Sequence, residues 1–283
     1  MKTYTQAPLP FQGQKRRFLK DFKEALNEFP ADATYIDLFG GSGLLSHTVK
    51  NYYPQAKTIY NDYDGYSYRL ENADKTNALL SDIRQLCPSA GSKTERLNDH
   101  VRATIIDRIE KEKGFVDYIT LSSSLLFSMN YASSLEQLKK EKFYNKVRQS
   151  DYVTTGYLEG IDVVKYDYKE LFQKYKDQDN VVFLVDPPYL STDVSTYSNK
   201  DYWRLTDYLD VLEVLVNTSY FYFTSNKSSL IELFSWLELH YGTNNPFIGA
   251  TKKVQDVGLT YNAKYQDIML YKFNAKNTNL TTI

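Results

Sequence analysis

Apolar positions recur at helical spacing over residues 16–29, where Phe18, Leu19, Phe22, Ala25, Leu26 and Phe29 share a face and Pro30 closes the run. The pattern then changes. "ATYIDLF" (33–39) is a short buried-strand run, "GGSG" breaks it, and "LLSHTVKNYY" returns to helical spacing. "AKTIYND" (56–62) predicts a second strand, and "GYSYRLENADKTNALLSDIRQL" a helix after it. This alternation is that of a parallel sheet covered on both faces.

Between residues 71 and 150 the alternation lapses. The chain becomes polar, Ser-rich and charged, with helices predicted over "SKTERLNDHVRATIIDRIEKEKG" and "SSLEQLKKEKFYNKVRQ". Beyond 160 strands return as "IDVVKYD", "NVVFLVD" and "SYFYFTSN", interleaved with helices "RLTDYLDVLEVLVN" and "SSLIELFSWLELH". "FIGATKKV" and "QDIMLYKF" read as a terminal hairpin, and the polar tail "NAKNTNLTTI" as a frayed end. The economical architecture is one α/β sheet built from 1–70 and 151–283, interrupted by a mostly helical insertion at 71–150.

Composition alters this picture little. The 283 residues suffice for a substantial core, and 42% hydrophobic with 24% charged residues is ordinary for a soluble protein. A net charge of −1 excludes a uniformly basic nucleic-acid binder, so such a partner would need local patches. Two exist. Lys15, Arg16, Arg17, Lys20 and Lys23 stand against Asp21, and Lys139, Lys140, Lys142, Lys146 and Arg148 against Glu141, each a net +4. A solvated helix face is the ordinary meaning of either run; phosphate contact is the functional one. Cys87 is the single cysteine, and the N-terminus has no apolar leader, which together read as cytoplasmic. His47, His100 and His240 are scattered without metal-ligand spacing, and no metal is expected.

The chemistry concentrates at strand ends. "DLFGGSG" (37–43) joins the first strand to the first helix of the sheet, and Gly41 and Gly43 permit close backbone approach at a helix N-terminus. Its spacing is not the Gly-x-Gly-x-x-Gly dinucleotide fingerprint, which disfavours NAD. Asp62 ends the second strand about 20 residues later, placed either for ribose hydroxyls or to cap the next helix. Asp167 and Tyr168 end the third strand, where an acid could take an adenine amine, or cap, and a ring could stack. "DPPY" (186–189) is the most specific. Two prolines remove donors and leave the carbonyls of Asp186 and Pro187 free, while Pro188 stiffens the corner and Tyr189 offers a flat face. Acceptors beside a stacking platform suit an exocyclic amine on a planar base.

In this order the motifs resemble those of the Dam-type (D12 class) DNA adenine-N6 methyltransferases. "PFQGQK" (10–15) is similar to that family's N-terminal Pro-x-x-x-Gly-Gly-Lys segment, with Gln14 at the second glycine and Phe11 near its usual Trp. "DLFGGSG" resembles its Phe-x-Gly-x-Gly motif, "YND" its acidic ribose motif, and "YDY" its Asp-Phe motif. "DPPY" is its catalytic tetrapeptide, "FTSNK" a later Ser-Asn segment, and "DIMLYKF" resembles its final strand.

The resemblance implies a Rossmann-like, S-adenosylmethionine-dependent methyltransferase fold. Phe11, Lys15, Asp37, Phe39, Gly41, Gly43, Asp62, Asp167, Tyr168 and Asp186 would serve the cofactor, and Asp186, Pro187, Pro188 and Tyr189 the reaction on a flipped adenine. Residues 71–150 would recognise the target. Arg16, Arg17, Lys139, Lys140, Lys142, Lys146 and Arg148 would touch double-stranded DNA, and a cognate restriction endonuclease encoded separately would be compatible with the class. Two alternatives stay open: the same cofactor chemistry on RNA adenine, cytosine N4 or a protein amide, and a degenerate methylase fold that only binds DNA.

Overall fold

The computed structural model describes residues 2–87, 95–127, 130–188, 204–242, 245–260 and 263–274, without the side chains of 257–260, 263 and 264. Seven strands form one sheet: β1 (Thr34–Asp37), β2 (Lys57–Asn61), β3 (Asp162–Val164), β4 (Val181–Val185), β5 (Ser219–Ser225), β6 (Thr251–Thr260) and β7 (Ala263–Lys272). Their order is β3-β2-β1-β4-β5-β7-β6. The β1–β2, β1–β4, β2–β3 and β4–β5 pairs are parallel, whereas β7 runs antiparallel to both β5 and β6. The alternating half of the sequence therefore folds as its pattern predicts, including the terminal hairpin.

β4 shows why an unbroken apolar run was required there. All five residues are buried. Val182 and Leu184 enter a cluster with Phe18, Phe22, Leu45 and Val49, while Val181, Phe183 and Val185 enter another with Leu171, Val211 and Leu212. A central parallel strand covered on both faces has no polar side to show. The first cluster packs beneath α1 (Leu19–Leu26) and α2 (Leu44–Tyr52), and the second beneath α8 (Tyr168–Tyr175), α9 (Leu205–Glu213) and α10 (Leu230–Tyr241).

The intervening region carries α3 (Tyr66–Glu71), α4 (Ala73–Leu86), α5 (Asp99–Glu110), α6 (Tyr118–Leu125) and α7 (Leu135–Leu138) around a third cluster. That cluster draws in Ala7 and Leu9 from the N-terminal segment, and Tyr66, Tyr152 and Tyr157 from its flanks. Three local readings need correction. The helix expected after β2 is two, interrupted at Asn72, whose Nδ2 turns back to donate to Tyr68 O at 2.8 Å. The helix α6 escaped the periodicity altogether, because its buried positions include Thr120, Ser122 and Ser124. The predicted helix over "SSLEQLKKEKFYNKVRQ" is only α7. Beyond it the Arg102 guanidinium takes the carbonyls of Lys139 and Glu141, and the backbone N–H groups of Tyr144 and Asn145 bond to Leu125 and Glu95 carbonyls. Long-range partners capture the groups a helical ladder needs.

His47 fastens the N-terminal segment to the sheet. It is fully buried in α2; its Nδ1 donates to Tyr157 O at 2.7 Å and its Nε2 accepts from the Tyr4 backbone N–H at 3.0 Å. Asn51 Nδ2 also points at Nε2, at 2.9 Å. A proton on Nε2 would face two donors, and burial lowers the imidazole pKa below its usual value. The unfolded chain then binds more protons than the folded one below the ordinary histidine pKa of about 6.5. This stabilisation is complete above that value and declines as pH falls toward the folded pKa. Urea unfolding from about pH 8 to about pH 5 should show a steeper acid loss for wild type than for His47→Gln. Equal slopes would mean the ring is protonated in place.

Candidate functional site

Strand order reverses between β1 and β4, and in open α/β sheets a crevice opens at the carboxyl ends of strands at such a point. Here the two flanking strands end in Asp37 and Asp186. A small open cleft lies there, walled by Phe11, Gly13, Lys15, Phe39, Gly40, Gly41, Ser42, Leu44 and Asp186, among others.

The glycine turn is shaped by close contact. Gly41 and Gly43 have φ of 51° and 70°, the left-handed region that favours glycine. A Cβ on Gly40, which sequence reasoning passed over, would sit 2.2 Å from the Tyr60 ring. Only the folded sheet shows that constraint. Gly43 is the N-cap of α2 and no side chain caps its first turn, so backbone N–H groups face the crevice.

Asp37 is 1% exposed; Oδ2 accepts from Ser46 Oγ at 2.7 Å, and Oδ1 has no hydrogen-bond partner among the described residues. Burial and, less strongly, the nearby Asp186 push its carboxyl up to about 7, against the opposing pull of Ser46, Lys15 and the Phe39 backbone N–H. Lys15 Nζ donates to Asp186 Oδ2 at 2.5 Å and to Gly13 O at 2.8 Å. Burial also raises the Asp186 carboxyl; Lys15 opposes this, and Asp267 adds to it. Gln14 Oε1 accepts from the Ala7 N–H at 3.1 Å, so the residue replacing the family's glycine braces the turn that delivers Lys15. Phe11 meets Tyr66 edge-on with centroids 5.6 Å apart and lies against Gly41.

The other strand-end acids act as caps. Asp62 Oδ1 accepts from Tyr66 N (2.6 Å) and Tyr60 Oη (3.0 Å), and Oδ2 from Ser67 N (2.8 Å), holding the start of α3. Asp167 accepts from Lys169 N at 2.8 Å at the start of α8, and its side chain is otherwise exposed. Tyr168 stacks obliquely on Phe39, with centroids 4.8 Å and ring planes 37° apart. Pro187 is buried and Pro188 half-buried; Tyr189 lies outside the described residues.

The basic residues differ in exposure and in pairing. Arg16, Arg17, Lys140, Lys142 and Arg148 are exposed. Lys139 pairs with Glu110 and Glu136, Lys146 donates to Leu126 O at 3.2 Å, and Arg148 lies over the Tyr152 ring at 4.5 Å. Among the described residues no group of three or more His, Cys, Asp or Glu could hold a metal ion, and no helix is long and apolar enough to cross a membrane.

A parallel sheet with an antiparallel strand inserted next to its last, a glycine turn on a helix N-terminus, and acids at the switch point define a Rossmann-like methyltransferase fold. It differs from the dinucleotide-binding order, which lacks that inserted strand. The family model for D12 class N6 adenine-specific DNA methyltransferases matches residues 11–233, and the chain belongs to that family. It is 40% identical over 278 residues to a Haemophilus influenzae protein named "Putative methyltransferase", covering 96% of this chain and 94% of that one. Among solved structures it is similar to a precorrin-6y C5,15-methyltransferase from Geobacter metallireducens, with a TM-score of 0.37 and 11% identity over 95% and 98% of the two chains. That likeness is too distant to bear on substrate or site.

Proposed function

We propose that the protein is a site-specific DNA adenine-N6 methyltransferase that uses S-adenosylmethionine. The observation carrying this reading is the meeting of the glycine turn and the Asp-Pro-Pro corner on one cleft, within a chain of the D12 class. The residues present suit the cofactor. Asp37 Oδ1 is a buried acceptor with no hydrogen bond among the described residues, and the uncapped start of α2 offers donors to a carboxylate. Phe39, backed by Tyr168, presents an aromatic face to the cleft for a base. Asp62 accepts three hydrogen bonds already; a carboxylate has about four lone-pair sites, leaving one for a ribose hydroxyl. Bound there, S-adenosylmethionine supplies an electrophilic methyl group on a sulfonium.

The chain's own contribution is to hold the acceptor. Adenine N6 is a poor nucleophile because its lone pair is delocalised into the ring. Asp186 and the Pro187 carbonyl take the two amine hydrogens, favouring a pyramidal nitrogen with a directed lone pair. As positive charge develops on N6, the fixed carboxylate stabilises it. The base must leave the duplex to reach this corner.

We assign target recognition to residues 71–150, and phosphate contact first to the exposed Lys140, Lys142 and Arg148, with Arg16 and Arg17 beside the cleft. Alanine at Lys140, Lys142 and Arg148 together should weaken DNA binding across sequences and spare cofactor binding. The salt slope should fall by about 0.9 for each phosphate no longer neutralised. Loss of cofactor affinity with an unchanged salt slope would overturn that assignment. The whole reading is tested by expressing the protein in a host lacking N6-methyladenine and sequencing its DNA for the modified base. Methylation at one recurrent motif is expected; unmodified DNA from cells holding folded protein would refute it.

A further inference from the structure

One carboxylate within electrostatic reach of Lys15 and Asp186 has no role in the account above. Asp267 lies opposite Ser225 in the β5–β7 register, two positions beyond the Phe223–Met269 pair. Side chains alternate along a strand, so Asp267 shares a face with Met269 and Tyr271, which pack into the cluster beneath α1 and α2. Asp186 shares that face by the same alternation from Val182 and Leu184. Lys15 stands above it, with Nζ 5.9 Å from the centre of the Phe223 ring and bonded to Asp186. Asp267 Oδ1 is buried and has no hydrogen-bond partner among the described residues. Two carboxylates, one just after β4 and one in β7 with β5 between them, thus lie on the face where Lys15 sits.

Asp186 Oδ2 is taken by Lys15 here, yet on the proposed function an incoming amine needs a carboxylate oxygen of Asp186. We infer that Asp267 is a positioning residue that draws Lys15 away from Asp186 when the acceptor amine enters the cleft. The lysine keeps a carboxylate partner throughout, and Asp186 gains a free oxygen without leaving a bare buried ammonium. The inference rests on the reading of Asp186 as amine acceptor. The other groups around the pair are Arg17, Lys227 and Tyr265 on the Asp267 side and Asp37 and Tyr222 on the Asp186 side. Asp267 lies beyond the residues matched by the family model.

Asp267→Asn keeps the shape and removes the charge. Lys15 should then stay on Asp186, so kcat for DNA methylation falls about tenfold while the S-adenosylmethionine Kd moves less than about twofold. A second readout needs no turnover: the carboxyl 13C titration of Asp186 in the cofactor-free protein, assigned by its loss in Asp186→Asn. Its midpoint should move to lower pH in Asp267→Asn, because a repelling charge is gone and Lys15 is no longer shared. Asp267→Glu should restore both kcat and midpoint toward wild type. An unmoved midpoint, a Glu variant as impaired as Asn, or an Asn variant that fails to fold would each overturn the inference. If wild type methylates no DNA while the midpoint still moves, the function is wrong and the shared lysine stands.

Discussion

Asp186→Asn is expected to reduce methyl transfer to DNA by on the order of 10²-fold or more, the usual effect of removing one well-placed group facing a developing charge. Asn keeps the volume and one acceptor oxygen but removes the charge. Cofactor affinity should fall far less, because the glycine turn, Asp37 and the start of α2 remain. Nor should the variant unfold near neutral pH. Burial holds the Asp186 carboxyl above its ordinary range even beside Lys15, so the folded state gains nothing from ionising it as pH rises past the unfolded value. Methyl incorporation into DNA, with cofactor binding by calorimetry, separates the two effects. Activity within a few-fold of wild type would remove Asp186 from the reaction.

Arg69→Met should be the most destabilising single change outside the sheet. Arg69 is 8% exposed; Nε pairs with Asp117 Oδ2 at 3.0 Å, and one terminal nitrogen donates to Pro10 O at 2.8 Å and Thr120 Oγ1 at 3.3 Å. Asp117 is also buried, and caps α6 by accepting from the Thr120 backbone N–H at 3.0 Å. Truncating Arg69 leaves that carboxylate buried and uncompensated, which costs about 3–5 kcal/mol. Whole domains are stable by only about 5–15 kcal/mol, so the loss should show as a large drop in Tm. It should also loosen the segment at Pro10 that precedes Phe11 and Lys15, raising the cofactor Kd. Adding Asp117→Asn should recover part of the stability, since an amide oxygen still caps α6 without a charge. A single variant within about 1 kcal/mol of wild type would mean water reaches Asp117 once the guanidinium is gone.

The succession of strands and helices along the chain was legible in the sequence, because it follows from local periodicity and turn chemistry. An apolar run of β4's kind reads as a buried strand, "GGSG" breaks β1, and the late pair reads as a hairpin; the central place of β4 and the docking of the hairpin on β5 came from the fold. The acids that end β1, β2 and β4 were legible for the same reason. The chain beyond α7 was not, since its polar groups are claimed by Arg102, Leu125 and Glu95, which no local pattern announces. Nor could sequence choose between the cap and ligand readings of Asp62 and Asp167, because either role uses the same residue type at the same place. Tertiary structure filled three of the Asp62 lone pairs from Tyr60, Tyr66 and Ser67, and gave Asp167 the Lys169 N–H. It alone set Lys15 against Asp186, packed Tyr60 onto Gly40 and turned Asp267 toward the same face. The sequence determined which chemical groups reach the strand ends; the packing of distant segments decided which of their lone pairs and charges remain for a ligand.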